Sequence, residues 1–118
     1  MSQNRDPESL LDIYNYGQQA IAFVASLTQE EFEEDDKSIA AVMYVVAIMG
    51  EATKRLSKEF RQQYDFIPWG DIAGMRDRLV HDYKNIDLDI LWDIVNVEIP
   101  RLLAQIQPMI PSFEERSE

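Results

Sequence analysis

The segment MRDRLVHDY, residues 75–83, gathers the chain's one histidine, His81, with Arg76, Arg78, Tyr83 and the acids Asp77 and Asp82. An imidazole gains or loses a proton near neutral pH. An arginine forms paired, charge-assisted hydrogen bonds to a phosphoryl group. Together they are the minimum for cleaving RNA without a metal. The histidine removes the proton of a ribose 2′-hydroxyl, whose oxygen attacks the adjacent phosphorus, while arginine stabilises charge on the non-bridging oxygens. A 2′,3′-cyclic phosphate and a 5′-hydroxyl result. A lone histidine is more often structural, so it is the neighbouring arginines that favour a catalytic role for His81. Other chemistries lack their residues. With no cysteine and a single histidine, a usual structural zinc site is excluded. No Glu-x-x-His pair, EF-hand loop, Walker loop or G-x-G-x-x-G is present. Neither a metal nor a cofactor is expected. The run Glu30, Glu31, Glu33, Glu34, Asp35, Asp36 could attract a divalent ion, but reads as a solvated helix entry and cap.

On a helical wheel Ile72, Met75, Leu79, Val80 and Tyr83 cluster on one side, and Arg76 falls at its centre. A guanidinium is expensive to bury unpaired. Arg76 therefore either has an internal counter-charge, for which Glu51 is the candidate, or faces something other than the protein's own core. On an unbroken helix Arg76 and His81 point about 140° apart. They can share a phosphate only if the helix unwinds near His81 or if two subunits contribute. A two-fold axis near the segment would also supply two histidines, one as base and one as acid.

Helices must position these residues, since the chain shows no alternating strand pattern. Four long helical segments and a shorter one are expected, forming an all-α, up-and-down bundle. Asp6-Pro7-Glu8 reads as an N-cap and first turn for a helix ending near Ser26. Thr28-Gln29-Glu30-Glu31 is a capping box. A second long helix runs from about Asp36 to Leu56, and Ser57 caps a short one over 57–64. Pro68 makes DFIPWGD a turn, after which a helix runs from about Trp69 into the opening segment. KNID breaks the chain before a last helix over 87–107, which Pro100 should kink. Residues 109–118 read as a frayed tail. Gly70-x-x-x-Gly74 gives a smooth surface for close helix packing. Residues 39–49 are apolar on every side, which a small bundle can rarely cover. Their second face is expected to pack on another copy of the chain in a homodimer.

A length of 118 residues suits one domain over 1–118, and composition is ordinary, at 46% hydrophobic and 28% charged. The longest apolar run, residues 39–50, is too short to span a bilayer. The N-terminus lacks a signal-peptide pattern, so no membrane association and a cytoplasmic location are expected. A net charge of −11 argues against a broad nucleic-acid footprint. Residues 54–84 nevertheless hold seven of the 11 basic residues and five of the 22 acids, leaving them at +2 against −13 elsewhere. A polyanion that binds this chain binds there.

Arg76-x4-His81-x-Tyr83 resembles the Arg-x4-6-His-x-Tyr motif of HepT-like proteins, the HEPN-domain toxins of HepT/MntA toxin–antitoxin pairs. IMGEATKRLS (48–57), IPWGDIAGMRDRLVHDY (67–83), ILWDIV and the later Pro100 follow in the order of that family's segments. The resemblance implies a dimeric HEPN fold and a metal-independent endoribonuclease, with Arg76 and His81 catalytic and an RNA, such as a tRNA or mRNA, as substrate. It implies a minimal nucleotidyltransferase antitoxin, MntA-like, that transfers AMP to Tyr83. Arg76 and Tyr83, seven residues apart, would share one stripe of an unbroken helix, so an adenylyl group could occupy the phosphate site. Asp77 stands where the wider group often carries asparagine. It could orient Arg76 or His81 but adds negative charge, for which Arg78 would compensate. Two alternatives stay open: a catalytically weak, nucleotide-binding or scaffold subunit of a nucleotidyltransferase complex, and a purely structural role for Arg76 and His81 in a dimer interface.

Overall fold

The computed structural model describes residues 5–82 and 85–110, with the backbone alone at His81 and Asp82. Its architecture is all-α, with one small hairpin. Helix α1 (Asp6–Val24) and helix α3 (Asp36–Lys54) pack along their lengths, joined through the short α2 (Gln29–Glu33). Leu10, Ile13, Ala20 and Val24 recur at helical spacing on α1 and meet Val42, Val45, Val46 and Met49 of α3 in one core. The capping box at α2 is formed as its sequence requires. Glu31 N–H donates to the Thr28 hydroxyl at 3.1 Å, and Thr28 N–H donates to the Glu31 carboxylate at 2.9 Å. Asp35 caps α3, accepting from the Lys37 and Ser38 N–H groups. Two members of the acidic run are thus helix caps.

Asp6 does not cap α1. It is the first helical residue, and Arg5, at the N-cap position, makes no side-chain cap bond. The Asp6 carboxylate is buried and instead accepts the Ser57 N–H at 2.7 Å and the Ser57 hydroxyl at 2.6 Å. Ser57 in turn caps α4 (Lys58–Gln63) by accepting the Phe60 N–H at 3.1 Å. Asp6 therefore lies between two helix N-termini, whose dipoles both favour a carboxylate.

The expected third long helix is two helices of five residues, α5 (Trp69–Ala73) and α6 (Met75–Leu79), broken at Gly74. After Leu79 the chain extends into strand β1 (Val80–Asp82), which pairs antiparallel with β2 (Asn85–Ile86), Val80 opposite Ile86. The last helix begins at α7 (Leu88–Asp93), capped by Asp87, and passes through a π turn over Ile94–Glu98 into α8 (Ile99–Ile106). Pro100 lacks the N–H that would bond the Asn96 carbonyl, and its ring crowds that carbonyl. The wider π turn directly before it relieves the conflict, so the expected kink takes that form. Met109 and Ile110 continue onto the core rather than fraying, and the rest of the expected tail lies outside the described residues. Among the described residues no helix is long and apolar enough to cross a membrane.

Candidate functional site

Two residues set the crossing of α3 and α5. A Cβ added at Gly50 would lie 3.1 Å from the Ala73 carbonyl oxygen, so only glycine allows this approach without displacement. The Gly70/Gly74 pair does not serve this purpose. A Cβ at Gly70 would touch nothing, and one at Gly74 would meet the Gly70 carbonyl of its own segment. Pro68 and Trp69 fix the entry to α5. Trp69 is buried against Phe60, and its indole N–H donates to the Tyr64 carbonyl at 3.1 Å.

At this crossing lies a recess of about 80 Å³, lined from α3 by Gly50, Glu51 and Lys54 and from the other side by Ala73, Arg76 and Asp77. Arg76 is exposed, contrary to its place on an unbroken wheel. The break at Gly74 and the end at Leu79 narrow the buried stripe to Met75 and Leu79, one helical turn apart, and Arg76 turns outward. Glu51 is not its counter-charge: Glu51 pairs with Lys54 at 3.6 Å, one turn along α3. Arg76 makes no ion pair among the described residues. The recess thus carries two cations, Arg76 and Lys54, and two carboxylates, Glu51 and Asp77, at the protein surface.

Arg78 leaves α6 on another side. Its guanidinium donates twice to the Glu98 carboxylate, at 2.8 and 3.3 Å, which holds α6 against the π turn. These bonds raise the Arg78 pKa, against some desolvation, and the fields of Glu98, Asp71 and Asp93 act in the same direction. Arg78 does not line the recess and does not neutralise Asp77 there.

The end of α6 is sealed by the start of α7. The Leu79 carbonyl accepts the Asp87 N–H at 2.9 Å, and Asp87 caps α7 through the Ile90 N–H at 3.0 Å. His81 therefore belongs to a strand that begins one residue after α6. The 140° separation of a continuous helix no longer applies, and of the two conditions set by the sequence, unwinding before His81 is met. The common helical stripe for Arg76 and Tyr83 is lost with it, because α6 ends at Leu79. Tyr83 itself and the His81 side chain lie outside the described residues.

Sequence reasoning missed Lys54 and Glu98. Lys54 could have been found, since it sits one helical turn from Glu51. Glu98 could not, because it meets Arg78 only through the tertiary placement of the π turn.

Helical architecture, a surface arginine at a helix crossing and a strand-borne histidine define a helical domain with an anion-binding candidate site. Residues 13–109 match the ribonuclease HepT-like family, and the chain belongs to that family. A protein of Methanocaldococcus jannaschii named as a candidate RNase is 34% identical over 107 residues, covering 91% of this chain and 92% of its own length. Another candidate RNase, from Caldanaerobacter subterraneus subsp. tengcongensis, is 38% identical over 87 residues, covering 74% and 78%. The probable ribonuclease HepT of Thermococcus cleftensis is 34% identical over 87 residues, covering 74% and 79%. No solved structure matches the chain.

Proposed function

We propose that this chain is a metal-independent endoribonuclease, the toxin of a toxin–antitoxin pair, acting as a homodimer. The observation that carries the proposal is Arg76, an exposed guanidinium with no ion pair among the described residues, on a helix that ends just before His81. Arg76 binds the scissile phosphate and stabilises charge on its non-bridging oxygens. His81 takes the 2′-hydroxyl proton as the 2′-oxygen to phosphorus bond forms. The bond from phosphorus to the 5′-oxygen breaks, and that oxygen takes a proton from the imidazolium of the second protomer. Lys54 offers a second phosphate contact, with Glu51 as its tether, and Asp77 orients its neighbours.

The dimer is supported by the outward stripe of α3. Tyr44 is 64% exposed. Ala40 is exposed and Ala47 and Ile48 half-buried, at spacings that continue into Glu51 and the recess. A two-fold axis along this stripe would bring two recesses together. Tyr44→Asp should then give monomers in analytical ultracentrifugation. We further propose that a minimal nucleotidyltransferase partner silences the chain by transferring AMP to Tyr83, the adenylyl anion competing with RNA for Arg76.

Glu51 and Asp77 beside Arg76, and the net charge of −11, favour one other reading: a scaffold or nucleotide-binding subunit without nuclease activity. Incubating the purified chain with total RNA in EDTA separates the two. Cyclic-phosphate ends that disappear in His81→Ala support the nuclease. Intact RNA, with Tyr83 found unmodified by mass spectrometry, counts against the nuclease and favours the second reading.

A further inference from the structure

We propose that the groove between α5–α6 and the last helix binds an amphipathic, basic helical segment of a partner protein. The groove measures about 520 Å³ and shares no lining residue with the Arg76 recess. That volume falls within the range of roughly 300–1,000 Å³ in which folded proteins hold small ligands or side-chain clusters. Ile72, Met75 and Leu102 form an apolar floor. At the rim stand Phe66, 63% exposed, and Val97, 42% exposed, two large apolar side chains at the edge of one depression. Scattered apolar residues need no explanation, but a pair flanking an apolar groove marks a contact surface.

Charge selects the occupant. Three carboxylates, Asp71, Asp93 and Glu98, line the groove against one cation, Arg101, and neither aspartate makes an ion pair among the described residues. Their fields converge on Arg78, whose pKa is raised first by the hydrogen bonds to Glu98 and then, after desolvation opposes it, by Glu98, Asp71 and Asp93 together. Arg78 is already engaged by Glu98, so the two aspartates remain available to a cation from outside. Phosphates of RNA would be repelled by them. A second copy docked by the same patch would meet an equal excess of carboxylates over Arg101, two like-charged surfaces facing each other. A helix with leucine-like residues on one face and lysine or arginine beside them satisfies floor and rim together, in the helix-in-groove mode. The π turn contributes here too. Val97 and Glu98 belong to it and line the groove, and π turns recur where a helix carries a function.

This inference does not rest on the ribonuclease reading, and its test needs no RNA cleavage. The full chain, labelled with nitrogen-15, is titrated with a short helical peptide of leucine and lysine at i, i+3, i+4 spacing, and with its leucine–glutamate counterpart. The lysine peptide should shift resonances across residues 66–75 and 93–105 and saturate. Val97→Ser should weaken it several-fold, through loss of one apolar contact with no change in the groove's charge. Because Val97 is half exposed, that variant should keep its melting temperature, and Phe66→Ser provides an independent check. Asp71→Asn with Asp93→Asn should weaken binding several-fold and flatten its salt dependence. Shifts centred on the acidic run 30–36, equal binding of the glutamate peptide, or unchanged affinity in Val97→Ser and Phe66→Ser would each overturn the proposal. Groove shifts produced by a short single-stranded RNA would overturn it as well, assigning the face to nucleic acid.

Discussion

The Arg78–Glu98 pair allows two roles for Arg78 to be separated by sign. If Arg78 bound RNA phosphate, Glu98 would be its competitor, and Glu98→Ala would tighten RNA binding and steepen its salt dependence by about one counterion. If the pair instead holds α6 against the π turn, Glu98→Ala and Arg78→Ala weaken cleavage alike, and the double variant is no worse than either. The geometry favours the second outcome: the pair is bidentate, at 2.8 and 3.3 Å, and Arg78 does not line the recess. Its side chains are 41% and 31% exposed, so solvent screens it. An exposed pair contributes roughly 0.2–1 kcal/mol, and the bidentate form belongs at the upper end. If all of a coupling near 1 kcal/mol is expressed in positioning Arg76, the rate changes by at most about fivefold. The same coupling corresponds to a melting temperature lower by about 3–6 °C for a chain of this size. The assay is a double-mutant cycle on RNA cleavage with fluorescence-anisotropy binding at two salt concentrations. Tighter RNA binding by Glu98→Ala, or additive losses in the double variant, would refute the positioning role.

Asp6→Ala removes the acceptor of two bonds from Ser57 and frees the cap of α4, so urea unfolding should show a loss of about 2–3 kcal/mol. Gly50→Ala should cost no more than about 2 kcal/mol of stability, since a helix-propensity gain of about 1 kcal/mol partly offsets overpacking of about 1–3 kcal/mol. It should nonetheless lower RNA cleavage, because the new Cβ presses on the Ala73 carbonyl from 3.1 Å and displaces the wall that carries Arg76. Full activity in Gly50→Val would rule out control by this crossing. The Ser38 hydroxyl bond holds the Asp35 carboxyl below its ordinary 3.8, with the Ser38 and Lys37 N–H groups adding to it. A depressed pKa stabilises the fold above the ordinary value and loses that effect as pH falls through the depressed one. The melting-temperature gap between the native chain and Asp35→Ala should therefore be full at pH 7 and close steadily below pH 3.8. A gap constant throughout the acid range would show that the carboxylate's charge does not act there.

Signals that act within one helical turn were legible in the sequence. Thr28 with Glu31, Asp35 and Ser57 cap the helices they precede, because a hydroxyl or carboxylate reaches N–H groups two or three residues on. The apolar periods of α1 and α3 and the turn at Pro68 are local in the same sense. The site was harder to read. Met75, Leu79, Val80 and Tyr83 fit a helical period, yet the helix stops at Leu79, where an antiparallel partner captures Val80. Arg76 looked buried on that false period and is exposed. Asp6 looked like a cap because its neighbour is proline, whereas its acceptor atoms are taken by Ser57, 51 residues away. Glu98 could not be paired with Arg78 without the π turn, whose width follows from Pro100 but whose direction does not.

A five-residue helix has no stability of its own in water, since nucleation is unfavourable and each further bond adds little. Helix α6 exists because its surroundings clamp it. Met75 and Leu79 are buried, the Leu79 carbonyl is tied to Asp87, and Arg78 is tied to Glu98. The segment before it is pressed onto α3 where Gly50 meets Ala73. The direction in which Arg76 points is therefore set by α3 and by the last helix, and hardly by the propensities of residues 75–79. A change at any clamp should displace the guanidinium without touching it. Because the clamps lie on different sides of α6, whatever occupies the groove beside the π turn presses on the same short helix that carries Arg76.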